Sequence, residues 1–226
     1  MKKNFLLVLL TLSTTVIQSQ LITDTELWQG NTLKVDLSER FRLDIGQQFR
    51  LHQTVSSLKN AFTEFGLKYK INNSFSIKPG YRVILQGNDL IRDRYQLDVK
   101  YKWKKQDFPL SFGYRARFQQ VVERLTRRQF THLRNKAYAS FNLSKVVDPF
   151  VTGELFFRFN NRNQMDRARF TIGLEWKLTS DLNLETYYRF QRELFIDNIP
   201  EGDHIIGLML AYKLKGKKED DEKAKK

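Results

Sequence analysis

Residues 37–52, LSERFRLDIGQQFRLH, alternate apolar and polar side chains with a period of two. Six of the eight odd positions are Leu, Ile or Phe, whereas every even position is polar, charged or Gly. This period is that of a β-strand with two chemically different faces. The alternation lasts for the whole stretch, although strands of soluble proteins usually run about 5 to 6 residues. The odd face therefore needs an apolar surface about 25 Å tall, which a membrane provides.

The first 19 residues have the pattern of a secretory signal peptide. A positive segment (residues 1–4) precedes an apolar segment (residues 5–12), and Ser19 precedes the expected cleavage before Gln20. The apolar segment is too short for a membrane helix, and no later stretch reaches the roughly 20 apolar residues that one needs. The chain has no Cys, so it has no disulfide and no lipid anchor on a Cys. An exported chain that spans a membrane without a helix must form a closed β-barrel.

The alternating pattern recurs ten times from residue 37 onward and predicts ten strands of an antiparallel up-and-down transmembrane β-barrel in residues 20–214. Residues 20–36 are interpreted as a short hairpin around Gln29, Gly30 and Asn31. With both termini on the periplasmic side the strand number must be even, so we predict 12 strands, or 10 if the first segment does not span. Residues 215–226 are predicted to be a charged, disordered tail. A soluble lipocalin-like barrel is the structural alternative.

Short turns are predicted to alternate with longer polar loops. A seven-residue turn pattern occurs three times, in residues 37–43, 71–77 and 178–184. In each, an aliphatic and a small polar residue precede two turn residues, and an apolar, a polar and an aliphatic residue follow. Residues 120–129, in contrast, are rich in Arg and Glu and suggest a long loop. Outer-membrane barrels have short periplasmic turns and long outer loops. We therefore predict a location in the outer membrane of a Gram-negative cell. The expected periplasmic turns lie near Asn72, Gln106, Val146 and Ser180, and the expected outer loops lie near Ser56, Asp89, Glu123, Asn163 and Asn198.

Amphipathic aromatic residues occur on the apolar face near the short-turn ends of several strands. Trp and Tyr prefer the boundary between membrane and water, so these residues are predicted to form one membrane girdle. The predicted girdle consists of Tyr69, Tyr101, Trp103, Trp176 and Tyr212.

The inward face is unusually rich in Arg. The chain carries a net charge of +14, and residues 20–214 contain 31 basic and 21 acidic residues. Nucleic acid is an unsuitable partner for an exported chain without a recognition motif. Two interpretations remain, namely a lumen closed by ion pairs and a positively lined passage for small anionic solutes. The predicted lumen-lining charged residues are Arg40, Arg42, Arg50, Arg82, Arg94, Arg115, Arg117, Arg134, Glu154, Arg158, Arg167, Arg169, Glu175, Glu185 and Arg189.

Catalytic and metal chemistry have weak support in the sequence. His52, His132 and His204 fall near loop ends, but His204 has the lipid-facing parity, so the three are not expected to converge. Ser56 and Ser57 lie close to His52 without a nucleophile-elbow pattern. We therefore expect no catalytic residue, no metal and no cofactor.

Several short motifs resemble the DUF2490 family of outer-membrane β-barrel proteins. The resemblance covers about residues 28–214 and rests on Trp28, FGLKY (65–69), GYRARFQ (113–119), LRNK (133–136), Pro149-Phe150 with Glu154, and RFTIGL (169–174). It implies an outer-membrane barrel and supplies no established activity. The signal peptide, with Ser-Gln at its cleavage site, also resembles those of Bacteroidota. A charged tail follows Leu214 where such barrels commonly end on an aromatic residue, so the assembly signal is expected within residues 208–214.

The sequence as a whole predicts an outer-membrane barrel of unassigned activity. Such a barrel would have a structural or interaction role, or would be a small closed barrel. The alternative is an anion-preferring pore for small solutes, and a lipid-modifying enzyme is a distant third. The expected partners are outer-membrane lipid, the barrel-assembly machinery and, for the pore, small anionic solutes.

Overall fold

The computed structural model describes residues 22–87, 90–105, 108–159, 163–194 and 201–215. The predicted signal peptide and the tail beyond residue 215 lie outside these residues, as do Asp89, Gln106 and Asn198 in three of the predicted connections. Where the backbone is regular it is entirely β, and its eleven strands are β1 Ile22–Asp36, β2 Phe41–His52, β3 Ser57–Lys70, β4 Phe75–Gln86, β5 Ile91–Lys104, β6 Leu110–Glu123, β7 Gln129–Phe141, β8 Val147–Arg158, β9 Gln164–Lys177, β10 Leu182–Glu193 and β11 Glu201–Leu214.

The strands form one closed barrel in which each strand pairs with its neighbours in sequence and β1 pairs with β11. This pair is parallel, with Ile22 opposite Glu201 and Val35 opposite Leu214, whereas all other pairs between the eleven strands are antiparallel. The prediction of a closed all-β barrel is confirmed. The predicted strand numbers of 12 and 10 are both wrong, because a parallel closure allows an odd number.

The two ends of the barrel differ in which connections they carry. The turn end holds the connections after the odd-numbered strands β1 to β9, and the loop end holds those after the even-numbered strands β2 to β10. The first described residue, Ile22, lies at the loop end, and Leu214 lies at the turn end. The described chain therefore starts and finishes at opposite ends, contrary to the expectation that both termini share one side.

The first strand runs straight through the hairpin turn that was predicted for it. Gly30 lies in the middle of β1, and a Cβ atom there would lie 2.7 Å from the carbonyl oxygen of Gln47. The glycine thus allows close approach of neighbouring backbone, which is a recognised use of Gly within strands. The side chains of Gln29 and Asn31 are exposed on the outer face, beside the exposed Gln47 of β2.

The connections at the turn end have a common hydrogen-bonding pattern. Ser38, Asn72 and Thr179 each accept two backbone N–H groups from residues two and three positions later. Such side-chain bonds stabilise tight turns, so the three turns predicted from the repeated sequence pattern are confirmed. Ser144 makes the same pair of bonds in the turn between β7 and β8.

The long loops predicted for the opposite end do not occur. Connections there contain four to seven residues, and those at the turn end contain four or five. The charged residues 120–129 do not form a long loop, because β6 continues to Glu123 and β7 begins at Gln129. The guanidinium of Arg92 bonds the Glu123 carboxylate, so charge in this segment supports pairing of strands. Loop length therefore does not distinguish the two ends.

The barrel has the polarity opposite to that of a soluble protein. Among the described residues, five large hydrophobic side chains are buried, whereas thirty-five are exposed. The buried positions are held mainly by polar and charged side chains, nineteen of them in the described ranges. A soluble lipocalin-like barrel would instead bury its apolar face. Separately, no helix in the described parts of the chain is long and apolar enough to cross a membrane.

Aromatic side chains lie on the outer face in both halves of the barrel. The predicted residues Tyr69, Tyr101, Trp103, Trp176 and Tyr212 all lie near the turn end. Several of them contact a neighbouring ring, as in the pairs Phe41–Tyr69, Phe75–Tyr101 and Trp103–Phe112, with centroids 4.8 to 5.7 Å apart. A second group, which was not predicted from the sequence, lies in the loop half and includes the pairs Tyr81–Tyr95, Phe118–Phe159 and Tyr188–His204.

Candidate functional site

The barrel encloses a cavity of about 800 Å³ whose lining contains more cations than residues of any other class. Its lining contains fifteen Lys and Arg residues and five Asp and Glu residues. On β5 the lining runs from Arg92 to Lys100. At about 3.3 Å per residue and a strand tilt of 35 to 45°, this corresponds to about 20 Å along the barrel axis.

The structure places thirteen of the fifteen predicted lumenal residues in the cavity lining. Arg40 lies instead in the turn before β2, where its side chain is exposed. Arg42 lies at the turn end, where its Nε donates to Asp44 at 2.8 Å. The thirteen lining residues are Arg50, Arg82, Arg94, Arg115, Arg117, Arg134, Glu154, Arg158, Arg167, Arg169, Glu175, Glu185 and Arg189.

One wall of the lumen, built from strands β3 to β9, is held together by ion pairs. Each of three buried or nearly buried carboxylates there binds at least two cations. Glu64 pairs with Lys78, Arg82 and Arg94. Asp98 pairs with Arg117 at 2.5 Å and with Lys100 at 3.9 Å. Glu154 pairs with Arg115 at 2.5 Å, Arg134 at 2.9 Å and Arg169 at 3.6 Å.

The lumen also contains cations that have no acidic partner. Within the described residues, Lys34, Arg50, Lys136 and Arg189 line the cavity without an ion pair to a carboxylate. Arg50 donates to the side-chain oxygen of Gln48 at 3.2 Å, and Arg189 donates to that of Thr171 at 2.9 Å. The hydrogen-bond partners of Arg50 and Arg189 are therefore neutral, whereas Glu185 acts electrostatically on Lys34, Lys136 and Arg189 without forming an ion pair.

Aromatic side chains share the inward face with the Arg residues, a feature that sequence reasoning missed for Trp28, Phe62 and Phe156. The buried aromatic residues are Trp28, Phe62, Phe156 and Tyr187. A guanidinium group lies over each of the four rings, with Arg82 3.4 Å from Phe62, Arg50 3.7 Å from Trp28, Arg134 4.3 Å from Phe156 and Arg189 4.5 Å from Tyr187. Such contacts stabilise a buried cation. The signal was available, because each ring falls on the charged parity of its strand.

The residues with a potential role in catalysis make other contacts. Ser56 Oγ donates to the Gln53 carbonyl at 2.6 Å, and Ser57 Oγ donates to the Gln53 side chain at 2.9 Å. His52 faces Asp24 at 4.0 Å. These contacts do not join a hydroxyl nucleophile to a histidine base, so the described geometry does not support the serine-hydrolase alternative.

The three His residues lie in separate environments. His132 is buried in the lumen, 3.4 Å from Asp166, and His204 lies outside against Tyr188, at 2.6 Å. The structure instead brings together the carboxylates of Asp24, Glu26 and Asp203 at the loop end. Glu26 accepts bonds from Lys59 and Trp28, and Asp203 accepts one from Gln191, so these two acids already have partners.

Comparisons with known proteins give one shared fold and one family. The NanC porin is 15% identical, with a TM-score of 0.54, and the alignment covers 84% of this chain and 99% of NanC. The KdgM porin is 15% identical, with a TM-score of 0.44 and coverage of 75% and 91%. The anion-selective porin from Comamonas acidovorans is 10% identical, with a TM-score of 0.42 and coverage of 77% and 53%.

The NanC alignment shows that the chain has a porin-like barrel fold. No curated protein sequence matches the chain. A family model described as "Protein of unknown function (DUF2490)" matches residues 25–198. Because this match spans more than half of the chain, the protein belongs to the DUF2490 family.

Proposed function

We propose that the protein is an anion-preferring channel for small solutes in the outer membrane. The observation that carries this proposal is the lining of the cavity, in which fifteen basic residues face five acidic ones. Fixed positive charge concentrates anions and repels cations, and low-dielectric walls strengthen that effect. The porin-like fold supports the same function.

A closed structural barrel is less well supported, although the sequence pattern favoured it. A small barrel is closed when its side chains fill the interior. Here the ion-paired wall leaves a cavity of about 800 Å³ between itself and the opposite strands. Lys34, Arg50, Lys136 and Arg189 also remain without acidic partners in the described residues, as expected for groups that meet mobile anions. This function is non-catalytic.

Conductance in planar lipid bilayers tests the proposal. Folded protein is expected to give single-channel steps, and the reversal potential in a KCl gradient should have the sign of a chloride preference. Replacement of Lys136 by Glu should reduce the ratio of anion to cation permeability at least twofold, because it reverses an unpaired charge on the lining. The matched control is Lys145→Glu, which makes the same charge change in an exposed turn and should leave the ratio unchanged.

Three outcomes contradict the proposal. A membrane that contains folded protein and stays silent would show a closed barrel, and a preference for cations would show that the lining does not set selectivity. Equal effects of Lys136→Glu and Lys145→Glu would also exclude the lumenal charge as the cause.

We further propose that the turn end faces the periplasm and the loop end faces outward. Four connections at the turn end have tight turns stabilised by a side chain, and these turns support the proposed orientation. The chain has no Cys, so single Cys residues can be introduced at the exposed positions Asn73 and Asn163. A membrane-impermeant maleimide on intact cells should label Asn163→Cys and not Asn73→Cys, and both should react after the cells are opened. The reverse preference would invert the orientation.

A location in the outer membrane implies two partners. Outer-membrane lipid would contact the outer face, where most of the large apolar side chains are exposed. The barrel-assembly machinery would insert the chain. Fractionation with outer-membrane markers, compared with the soluble periplasmic fraction, tests this location directly.

A further inference from the structure

Three guanidinium groups converge on the indole ring of Trp28 inside the lumen. The ζ carbons of Arg50, Arg189 and Arg169 lie 3.7, 5.0 and 5.3 Å from the ring centroid. The distance between the ζ carbons of Arg50 and Arg189 therefore cannot exceed the sum of their two distances to the ring centroid. Trp28 is only 3% exposed, and its Nε1 donates to Glu26 at 2.5 Å. The ring is thus a fixed support against which the three cations are gathered.

The charge at this cluster is incompletely neutralised. Arg169 is 3.6 Å from Glu154 and donates to Gln191 at 2.6 Å. Arg50 and Arg189, in contrast, bind only neutral side chains among the described residues, and the buried Nε of Arg50 has no hydrogen-bond partner there. Buried donors and charges of like sign are costly unless a partner compensates them. A negatively charged ligand in the cavity would supply that partner.

We propose that Arg50 and Arg189, with Arg169 beside them, form a binding site for an oxyanion that presents at least two oxygen atoms. A guanidinium group offers its N–H donors in a fixed fork that matches carboxylate and phosphate oxygens two at a time. A halide ion has no such pair of acceptors. The proposal rests on the anion channel proposed above and makes it specific, since the site distinguishes oxyanions from chloride. Tyr187, whose ring lies 4.5 Å from Arg189, forms part of its wall.

Binding can be measured by fluorescence without any conductance measurement. The protein has three Trp residues, and Trp103→Phe with Trp176→Phe leaves Trp28 as the single reporter at the site. The folded barrel in detergent is titrated with sodium phosphate, sodium acetate or sodium chloride at constant ionic strength. Phosphate or acetate should give a saturable change and chloride should not, and the comparison of the first two identifies the preferred oxyanion.

Substitutions connect the signal to the site. Arg50→Gln and Arg189→Gln should each weaken binding at least tenfold, and the exposed control Lys145→Gln should not change it. Arg50→Lys keeps the charge and removes the fork, so it should also weaken binding, and it serves as the test if Arg50→Gln does not fold. A response that is linear, equal for chloride, or unaffected by these substitutions in folded protein overturns the site.

The binding measurement and the bilayer measurement fail independently. Saturable binding by a barrel that is silent in bilayers would keep the oxyanion site and overturn the channel. Anion-selective conductance without saturable binding would keep the channel and overturn the site.

Discussion

Replacement of Glu154 by Gln is expected to lower the free energy of unfolding of the barrel by about 3 to 5 kcal/mol. The Glu154 carboxylate is 6% exposed and binds Arg115, Arg134 and Arg169 from three different strands. The amide keeps the shape but removes the charge, so the buried Arg134 and the partly buried Arg115 and Arg169 lose their common partner. A cost of this size is typical when a buried ion pair is broken by removal of one partner, because the other charge stays buried and uncompensated.

The temperature at which the folded barrel loses its compact mobility on SDS gels measures this effect. Glu185→Gln is the matched control, because Glu185 also lines the cavity but makes no ion pair among the described residues. The control should melt close to the parent protein, and Glu154→Gln should melt well below it. Equal melting of the two variants would show that the ion pairs of Glu154 contribute little to stability.

Replacement of Gly207 by Ala is expected to disrupt the lumenal wall next to Trp28. A Cβ atom at this position would lie 2.0 Å from Cζ of Tyr187, which pairs with Gly207 across β10 and β11. The Tyr187 ring would have to leave a buried cluster that it forms with Trp28 and Ile205. Overpacking of this kind costs about 1 to 3 kcal/mol.

Two comparisons make the test specific. Gly153→Ala adds the same methyl group at a position with no atom within 4 Å, so it should leave the melting temperature unchanged. Tyr187→Ala removes the ring that Gly207→Ala would strike, so the double variant should be less destabilised than the two single effects predict. Additive effects would show that Gly207 is required for a reason other than the ring.

The alternating parity of the sequence predicts most of the barrel, because most strands from β2 to β11 obey it locally. It fails at β1, where Gln29 and Asn31 place amides on the outer face and Gly30 resembles a turn residue. The function of Gly30 depends on the backbone of β2, which a local pattern cannot reveal. The prediction of the strand number fails for a related reason. Whether the first and last strands pair in parallel or antiparallel is a property of the closed sheet and not of any local pattern.

The candidate site shows the same division between local and non-local information. Parity predicts that Arg115, Arg134 and Arg169 point inward, but it cannot predict that one carboxylate, Glu154, binds all three. Such pairings depend on the register between strands. The buried Trp28 could have been assigned to the lumen from its parity in a continuous β1, and the mistaken hairpin concealed it.

The parallel seam between β1 and β11 also has a consequence for the order of folding. Every other strand pair joins neighbours in sequence and can form as a local hairpin, with little loss of chain entropy. The seam joins Ile22 to Glu201 and must bring the two ends of the sheet together. Its closure is therefore expected to come last, after the hairpins exist, and until then the exposed edges of β1 and β11 can pair with another chain.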